Sequence, residues 1–434
     1  MVKELAIISS IGVGYKILTN LVMLPVAASY FRFTNDFASN AMRKLDQRSG
    51  WLRGLARVAE PRVAVAVACV SALVFGVAVW QSRDRVVGTA QPGAPELRAD
   101  SRFNMDAASI AGAYDLGLDW LTVVFEAPKD SCQTVSIAKY QDDFETQVEH
   151  LDGVQAVKSF SDQLRVYNQG YNEGSPKMGV IPIDLANYSG LATEIARGRG
   201  YVSTDCSMSA VHIYLADHKA VTINRVIAVV KTFRVEHPMP GVKIRLASGN
   251  AGVLAAINEE VERSELPMML NVYAAIALLV LVAYRDLRAV IACCLPLTFS
   301  TFIGYWFMKE ADIVLTVATL PVMVLAVGIG VDYAFYIYNR LQMHLSTGED
   351  MKTALAAAIR EVGMATIFTA ITLAIGVATW SFSALKFQAD MGKLLAFMFI
   401  VNLVMAMTAL PAIVVLLDRL APRRIPVRAS LFNH

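Results

Sequence analysis

Gly328-Ile329-Gly330-Val331-Asp332-Tyr333-Ala334-Phe335-Tyr336 is a run of small, apolar and aromatic residues with one carboxylate inside it. It sits within 313–339, an apolar stretch long enough to cross a bilayer, which takes about 20 residues as a helix. Lipid offers backbone groups no hydrogen-bond partner, so a stretch of this kind is expected to be helical. Working outward, further stretches of the same kind cover 4–31, 63–81, 267–284, 289–308, 362–384 and 391–417. Composition agrees with a chain that uses lipid as part of its solvent. Of 434 residues, 55% are hydrophobic and only 18% charged, against about 25% charged in an ordinary soluble domain. The mean hydropathy is +0.46. A net charge of +2 says nothing about nucleic acid, and no nucleic-acid partner is expected.

Lys and Arg in the short loops set the orientation. Arg32, Arg43, Lys44, Arg48, Arg53, Arg57 and Arg62 fall between the first two spans. Arg285 and Arg288 follow the third, Arg340, Lys352 and Arg360 the fifth, and Arg419, Arg423, Arg424 and Arg428 the seventh. That side is expected to be cytoplasmic. Trp80, Trp306 and Trp380 close the outward-going spans, where an aromatic belt belongs. Ala27-Ala28-Ser29 has the look of a cleavage site, but the apolar stretch before it is long, carries Lys16 and leads into a basic segment, so a retained helix is expected. Two connectors are amphipathic. In 40–60, Trp51, Leu52, Leu55 and Val58 share a face, which suits a helix lying on the membrane surface. In 347–361, Thr347 with Asp350 suggests a capping box.

Residues 82–266 form the one long polar region. Leu121–Phe125, 154–160, Ala210–Leu215 and Val242–Ala247 have strand character, and 133–150 and 218–236 have helix character. The pattern is βαβ, an insertion, then βαβ, the ferredoxin-like or split βαβ arrangement. The insertion, 162–208, is rich in Gly, Asn, Ser and Tyr and is expected to be loop. Cys132 precedes the first of these helices and Cys206 the third strand. Outside the cytoplasm a disulfide between them is permitted, and two separate thiols are the other open reading. Cys69, Cys293 and Cys294 fall in apolar runs and suit packing. No CxxC or His/Cys cluster suggests a metal. Gly12-Val13-Gly14 lies inside a span with no GK[ST] after it, so it is no phosphate loop. Neither a cofactor nor enzymatic chemistry is expected.

The first and last spans resemble each other. Met1-Val2-Lys3-Glu4-Leu5-Ala6 matches Met391-Gly392-Lys393-Leu394-Leu395-Ala396, Asn20-Leu21-Val22-Met23 matches Asn402-Leu403-Val404-Met405, and Leu24-Pro25 matches Leu410-Pro411. Transporters are often built from repeated bundles. The expected organisation is therefore 1–31 as the final span of a preceding repeat, 32–62 as a cytoplasmic linker and 63–81 as a span. Residues 82–266 then form an extracytoplasmic α+β domain, 267–418 a five-span bundle and 419–434 a basic tail. On this expectation the chain is the second half of a duplicated protein, and its N-terminal half is a partner that the sequence lacks.

Asp332 is the acidic residue well inside a span. A charged Asp at a helix centre costs about 2.5–3.5 kcal/mol on insertion scales. It is expected to face the bundle interior, where desolvation favours the protonated form and lets it pick up and release protons. Gly328 and Gly330 would let a neighbouring helix approach closely. Thr366, Thr369 and Thr372 are spaced by three along the next helix and offer hydroxyls to Asp332 or to a water chain; back-bonding to their own helix is the plainer alternative. Tyr333 adds a phenol, although adjacent side chains on a helix diverge.

The glycine-rich GVDY of 330–333, the order of one span, a large outer domain and five spans, and the βαβ outer domain together resemble the RND superfamily. The closest likeness is its MMPL-like branch, related to hopanoid exporters and sterol-sensing-domain proteins. The resemblance implies a seven-span membrane α-helical bundle with an extracytoplasmic porter-type domain in the bacterial inner membrane. It implies that Asp332 and Tyr333 take the proton-relay role, with a matching pair in the other half, and that proton entry drives export of a lipid or other hydrophobic molecule. Two other readings stand beside it: a lipid- or sterol-sensing module, and an accessory subunit of protein secretion. Membrane lipids are expected partners, and a homodimer or homotrimer is left open.

Overall fold

The computed structural model describes residues 2–30, 52–89, 93–114, 117–198 and 200–422. The chain divides into two units, Met1–Arg57 and Val58–His434. In the first, helix α1 (Val2–Leu18) passes through a π-helical turn (Thr19–Met23) into α2 (Leu24–Ser29). Pro25 lies in the first turn of α2 and has no N–H to offer the turn before it, which suits the widened ladder there. Ser10–Ser29 is long and apolar enough to cross a membrane. The surface helix expected over 40–60 lies mostly outside the described residues, as do Met1, Arg32, Arg43, Lys44, Arg48, Trp51, Arg423, Arg424 and Arg428. What is described of it is a helical turn, Leu52–Leu55, and a 3₁₀ turn, Ala56–Ala59.

The second unit begins with α3 (Pro61–Gln81) and α4 (Arg102–Ala113). The polar domain follows: β1 (Asp119–Glu126), α5 (Val135–Glu149), β2 (Val154–Ser159), α6 (Phe160–Tyr171), α7 (Leu185–Arg197), β3 (Met208–Leu215), α8 (Ala220–Glu236) and β4 (Lys243–Ser248). The strands form one antiparallel sheet in the order β2-β3-β1-β4. Period-two alternation puts Leu121, Val123 and Phe125 of β1 on one face with Val211, Ile213 and Leu215 of β3. Phe144 and Val148 of α5 and Ile223, Val226, Val230 and Phe233 of α8 cover that face. Burying each such side chain is worth about 1.5–3 kcal/mol.

The insertion is not the loop that its composition suggests. It holds α6 and α7, capped by the side chains of Ser159 and Asp184. Tyr188, Leu191, Ala192 and Ile195 recur at helical spacing and pack on Phe160, Leu164, Ile181 and Cys132 in a second small core. Cys132 and Cys206 are bonded, with Cα atoms 5.4 Å apart, so the bridge ties this subdomain to the start of β3.

The membrane part comprises α3, α9 (Asn250–Tyr284), α10 (Leu287–Glu310), α11 (Thr319–Ser346), α12 (Met351–Ala378), α13 (Lys386–Met407) and α14 (Ala409–Leu420). With Ser10–Ser29, seven segments among the described residues have the length and hydropathy of membrane spans, α13 and α14 together making the last. The helix α9 is longer than the span expected from 267. It starts at the sheet, where Ala251 enters the β-sheet core, and continues through Pro267 into the membrane part. The capping box at Thr347 does not form. Thr347 instead donates to the His344 carbonyl at the end of α11, and Asp350 begins α12, which absorbs the expected connector and the sixth span into one helix.

Two straps bind the polar domain to the adjoining ends of the membrane helices. In the first, Arg85 donates to Glu265 of α9 (2.6 Å) with its guanidinium 4.6 Å from the Tyr305 ring centroid of α10. Gly88 N–H donates to Leu315 (2.9 Å), and Ala220 N–H of α8 donates to Thr89 (2.9 Å). In the second, Lys386 N–H donates to Glu96 (2.9 Å), and Arg98 donates to the carbonyls of Ser381 and Ser383, each at 3.0 Å.

The Cys132–Cys206 bridge closes a separation of 74 residues. A loop of that size predicts a loss of about 2–4 kcal/mol when both cysteines become serine. Thermal unfolding of the full chain in detergent checks this: reductant should lower the melting temperature of the parent protein and leave the double variant unchanged.

Candidate functional site

The site is built on α11. Its position is fixed by α13, where Asn402 is buried and donates from Nδ2 to the Ala326 carbonyl (2.8 Å). Gly330 lies directly against this amide. A Cβ at Gly330 would come within 2.5 Å of Asn402 Nδ2, so glycine is what allows the two helices to meet. Gly328 behaves differently: a Cβ there meets nothing within 4 Å. The close approach expected at both glycines occurs at Gly330, while Gly328 lies on an exposed face.

That packing decides where the polar residues go. Tyr333 turns inward and is 1% exposed, with its hydroxyl buried and without a hydrogen-bond partner. Asp332, one residue earlier and about 100° around the helix, is exposed on the outer face of the bundle. This corrects the expectation that the carboxylate faces the interior. Leu325, Gly328, Asp332 and Tyr336 form an exposed stripe, spaced three and four residues apart.

On α12, Thr366 is buried, whereas Thr369 and Thr372 are exposed. Their hydroxyls donate to the carbonyls of their own helix: Thr366 to Val362 (2.9 Å), Thr369 to Ala365 (2.9 Å) and Thr372 to Phe368 (2.8 Å). Back-bonding therefore holds for all three, and the expected hydroxyl-to-Asp332 contacts are not the bonds they make. Each oxygen keeps acceptor capacity. Thr369 and Thr372 present it on an exposed face, as Asp332 presents its carboxylate.

Sequence reasoning missed three groups. Asn402 appeared only as a repeat match. The Arg85–Glu265–Tyr305 cluster joins residues far apart in the chain. Glu145 of α5 is buried at 1% exposure and accepts hydrogen bonds from the hydroxyls of Ser159 and Ser161. Arg165 lies 3.4 Å from Glu145, 2.9 Å from Asp142 and 3.7 Å from Asp162. Burial pushes the Glu145 carboxyl up to about 7, against the opposing pull of the two serines and Arg165. Among the described residues, no group of three or more His, Cys, Asp or Glu is placed to hold a metal ion.

Long apolar helices, one of them carrying Asp332 midway along an exposed face, joined to an α/β domain, define a multi-pass membrane protein. The MMPL family matches residues 116–430, and the chain belongs to that family. A membrane protein of Methanocaldococcus jannaschii is 24% identical over 314 residues, 70% of this chain and 78% of the relative. The siderophore exporter MmpL5 of Mycobacterium tuberculosis is 27% identical over 52% of this chain, and the match spans 24% of the exporter. The sulfolipid-1 exporter MmpL8 of the same organism is 25% identical over 44% of this chain, spanning 18% of the exporter.

Two predictions follow from this geometry. Gly330→Ala should cost about 1–3 kcal/mol through overpacking against Asn402, whereas Gly328→Ala should be neutral or stabilising by up to about 1 kcal/mol; melting temperatures in detergent separate them. Glu145 has a folded-state pKa above its unfolded value, so its contribution to stability is fully present below about pH 4.5 and is lost as pH rises through about 7. Melting curves across that window should slope downward with pH, and Glu145→Gln should flatten the slope.

Proposed function

We propose that the chain works in proton-driven export of a lipid or other hydrophobic molecule, with Asp332 as the proton-binding group. One observation carries this reading: a carboxylate midway along a membrane helix, on an exposed stripe that also bears Tyr336. Against hydrocarbon a charged Asp is unfavourable by about 2.5–3.5 kcal/mol. Such a face gains by meeting a second protein surface or a water-lined cleft. In this reading a second bundle covers the α11–α12 face, supplied by another copy of the chain or by the other half of a longer transporter. A proton arriving at Asp332 then changes how well the two faces fit. Tyr333, packed behind it, senses the same shift from the inner side.

The relatives' names support the substrate class, since two are exporters of a siderophore and of a sulfolipid. The strand order β2-β3-β1-β4 supports the assignment of the polar domain as a ferredoxin-like porter domain. The distribution of Lys and Arg supports its location on the extracytoplasmic side of a bacterial inner membrane. Asn20, which matches Asn402 in the repeat, supports duplication: the first span carries the amide that would meet a glycine-rich helix of another repeat.

The test uses the full chain in liposomes with an internal pH dye and an imposed pH gradient. The parent protein should carry protons above the level of empty liposomes, and Asp332→Asn should fall to that level while keeping its melting temperature. Equal flux in both proteins would remove Asp332 from the pathway.

A further inference from the structure

The helix α4 has an apolar face that none of the described residues covers. Phe103, Ala107 and Ile110 are spaced four and three residues apart and so share one side of the helix, and Tyr114 follows as its C-cap residue. Phe103 is 62% exposed, Ile110 47% and Tyr114 68%. Arg102, Asp106 and Ser109 mark a separate polar side, with Arg102 and Asp106 in an ion pair. Asn104 occupies a third side, 6% exposed, and docks the helix. Its Oδ1 accepts from Ala94 N–H (2.7 Å), and its Nδ2 donates to the Arg98 carbonyl (2.9 Å). The apolar side lies between the docked side and the polar side.

The docking fixes the depth of this helix. Arg98 is itself bound to the carbonyls of Ser381 and Ser383, and Leu97 pairs with Leu385. Those residues form the short turn between α12 and α13, two helices that cross the membrane, so the turn must lie at the membrane surface. It carries Trp380 and Phe382, the latter 89% exposed. The first turn of α4 is thus tied, through Asn104 and Arg98, to a span-end turn that carries aromatic residues.

We infer that α4 lies on the bilayer surface on the polar-domain side, with Phe103, Ile110 and Tyr114 inserted among the lipid headgroups and upper acyl chains. The occupant is the same bilayer that the spans cross. An amphipathic helix buries its apolar face about 5–10 Å into the headgroup boundary, and three large exposed apolar side chains in register provide such a face. Strap and helix together then fix the height of the polar domain over the lipid.

The inference does not depend on proton transport, and its test keeps the two apart. A fluorescent noncanonical residue is placed singly at 103, 105, 106 or 110 in the full chain, reconstituted in phosphatidylcholine liposomes. Brominated lipids should quench positions 103 and 110 at least about twofold more than 105 and 106, and aqueous iodide should show the reverse order. Met105 serves as an apolar residue off the stripe. The Asp332→Asn protein should give the same pattern. Equal quenching of the four positions by brominated lipid overturns the inference. So does shielding of 103 and 110 from both quenchers, which would mean that protein covers the face.

Discussion

The contact between Asn402 and the backbone at Gly330 sets the rotation of α11 in the bundle. A buried amide that donates to the Ala326 carbonyl cannot slide without leaving polar groups stranded in an apolar interior, where each costs about 1–3 kcal/mol. Glycine at 330 lets α13 come close enough to make that bond. Once the Gly330 side of α11 is against α13, helical geometry leaves no freedom for the rest. Tyr333 and Ala334 point inward, and Gly328, Asp332 and Tyr336 point outward. The exposed carboxylate follows from the packing on the opposite side.

The polar domain is joined to the bundle by something stiffer than a loop. The helix α9 belongs to both parts: Ala251 sits in the sheet core and Val280 is buried within the bundle. Close to where it enters the membrane, Glu265 is held by Arg85, whose guanidinium lies over the face of Tyr305, with the carboxylate 10% exposed and therefore little screened. At the domain end, Asn250 donates to Asp119 (2.6 Å), and His218 lies 2.8 Å from the same carboxylate, which raises the histidine's affinity for a proton. A shift of α10 or α11 relative to α9 therefore acts on the sheet through a helix and two straps.

Much of this was legible in the sequence, for physical reasons that also explain the failures. The spans declare themselves because about 20 apolar residues in a row have few other uses, and the strands because Leu121, Val123 and Phe125 alternate. The helices α6 and α7 were hidden because Tyr188, Leu191, Ala192 and Ile195 are diluted by Gly, Asn and Ser, although their spacing is helical. The inward orientation expected for Asp332 assumed that a charge avoids lipid within a single chain; only the contact of Asn402, 72 positions after Gly330, decides otherwise. Arg85 and Glu265, 180 residues apart, carry no local signal at all.

The outward carboxylate and the stripe on α4 are related problems with different solutions. Both place side chains where the folded chain gives them too little cover. For Phe103 and Ile110 the lipid itself suffices, because apolar surface gains by entering it. For Asp332 the same lipid is the wrong solvent for the charged form. In the proposed reading that face meets a polar or hydrated surface at mid-membrane depth. The small residue at 328 leaves room there for a backbone to approach, as Gly330 does on the inner side, where α13 already occupies the space.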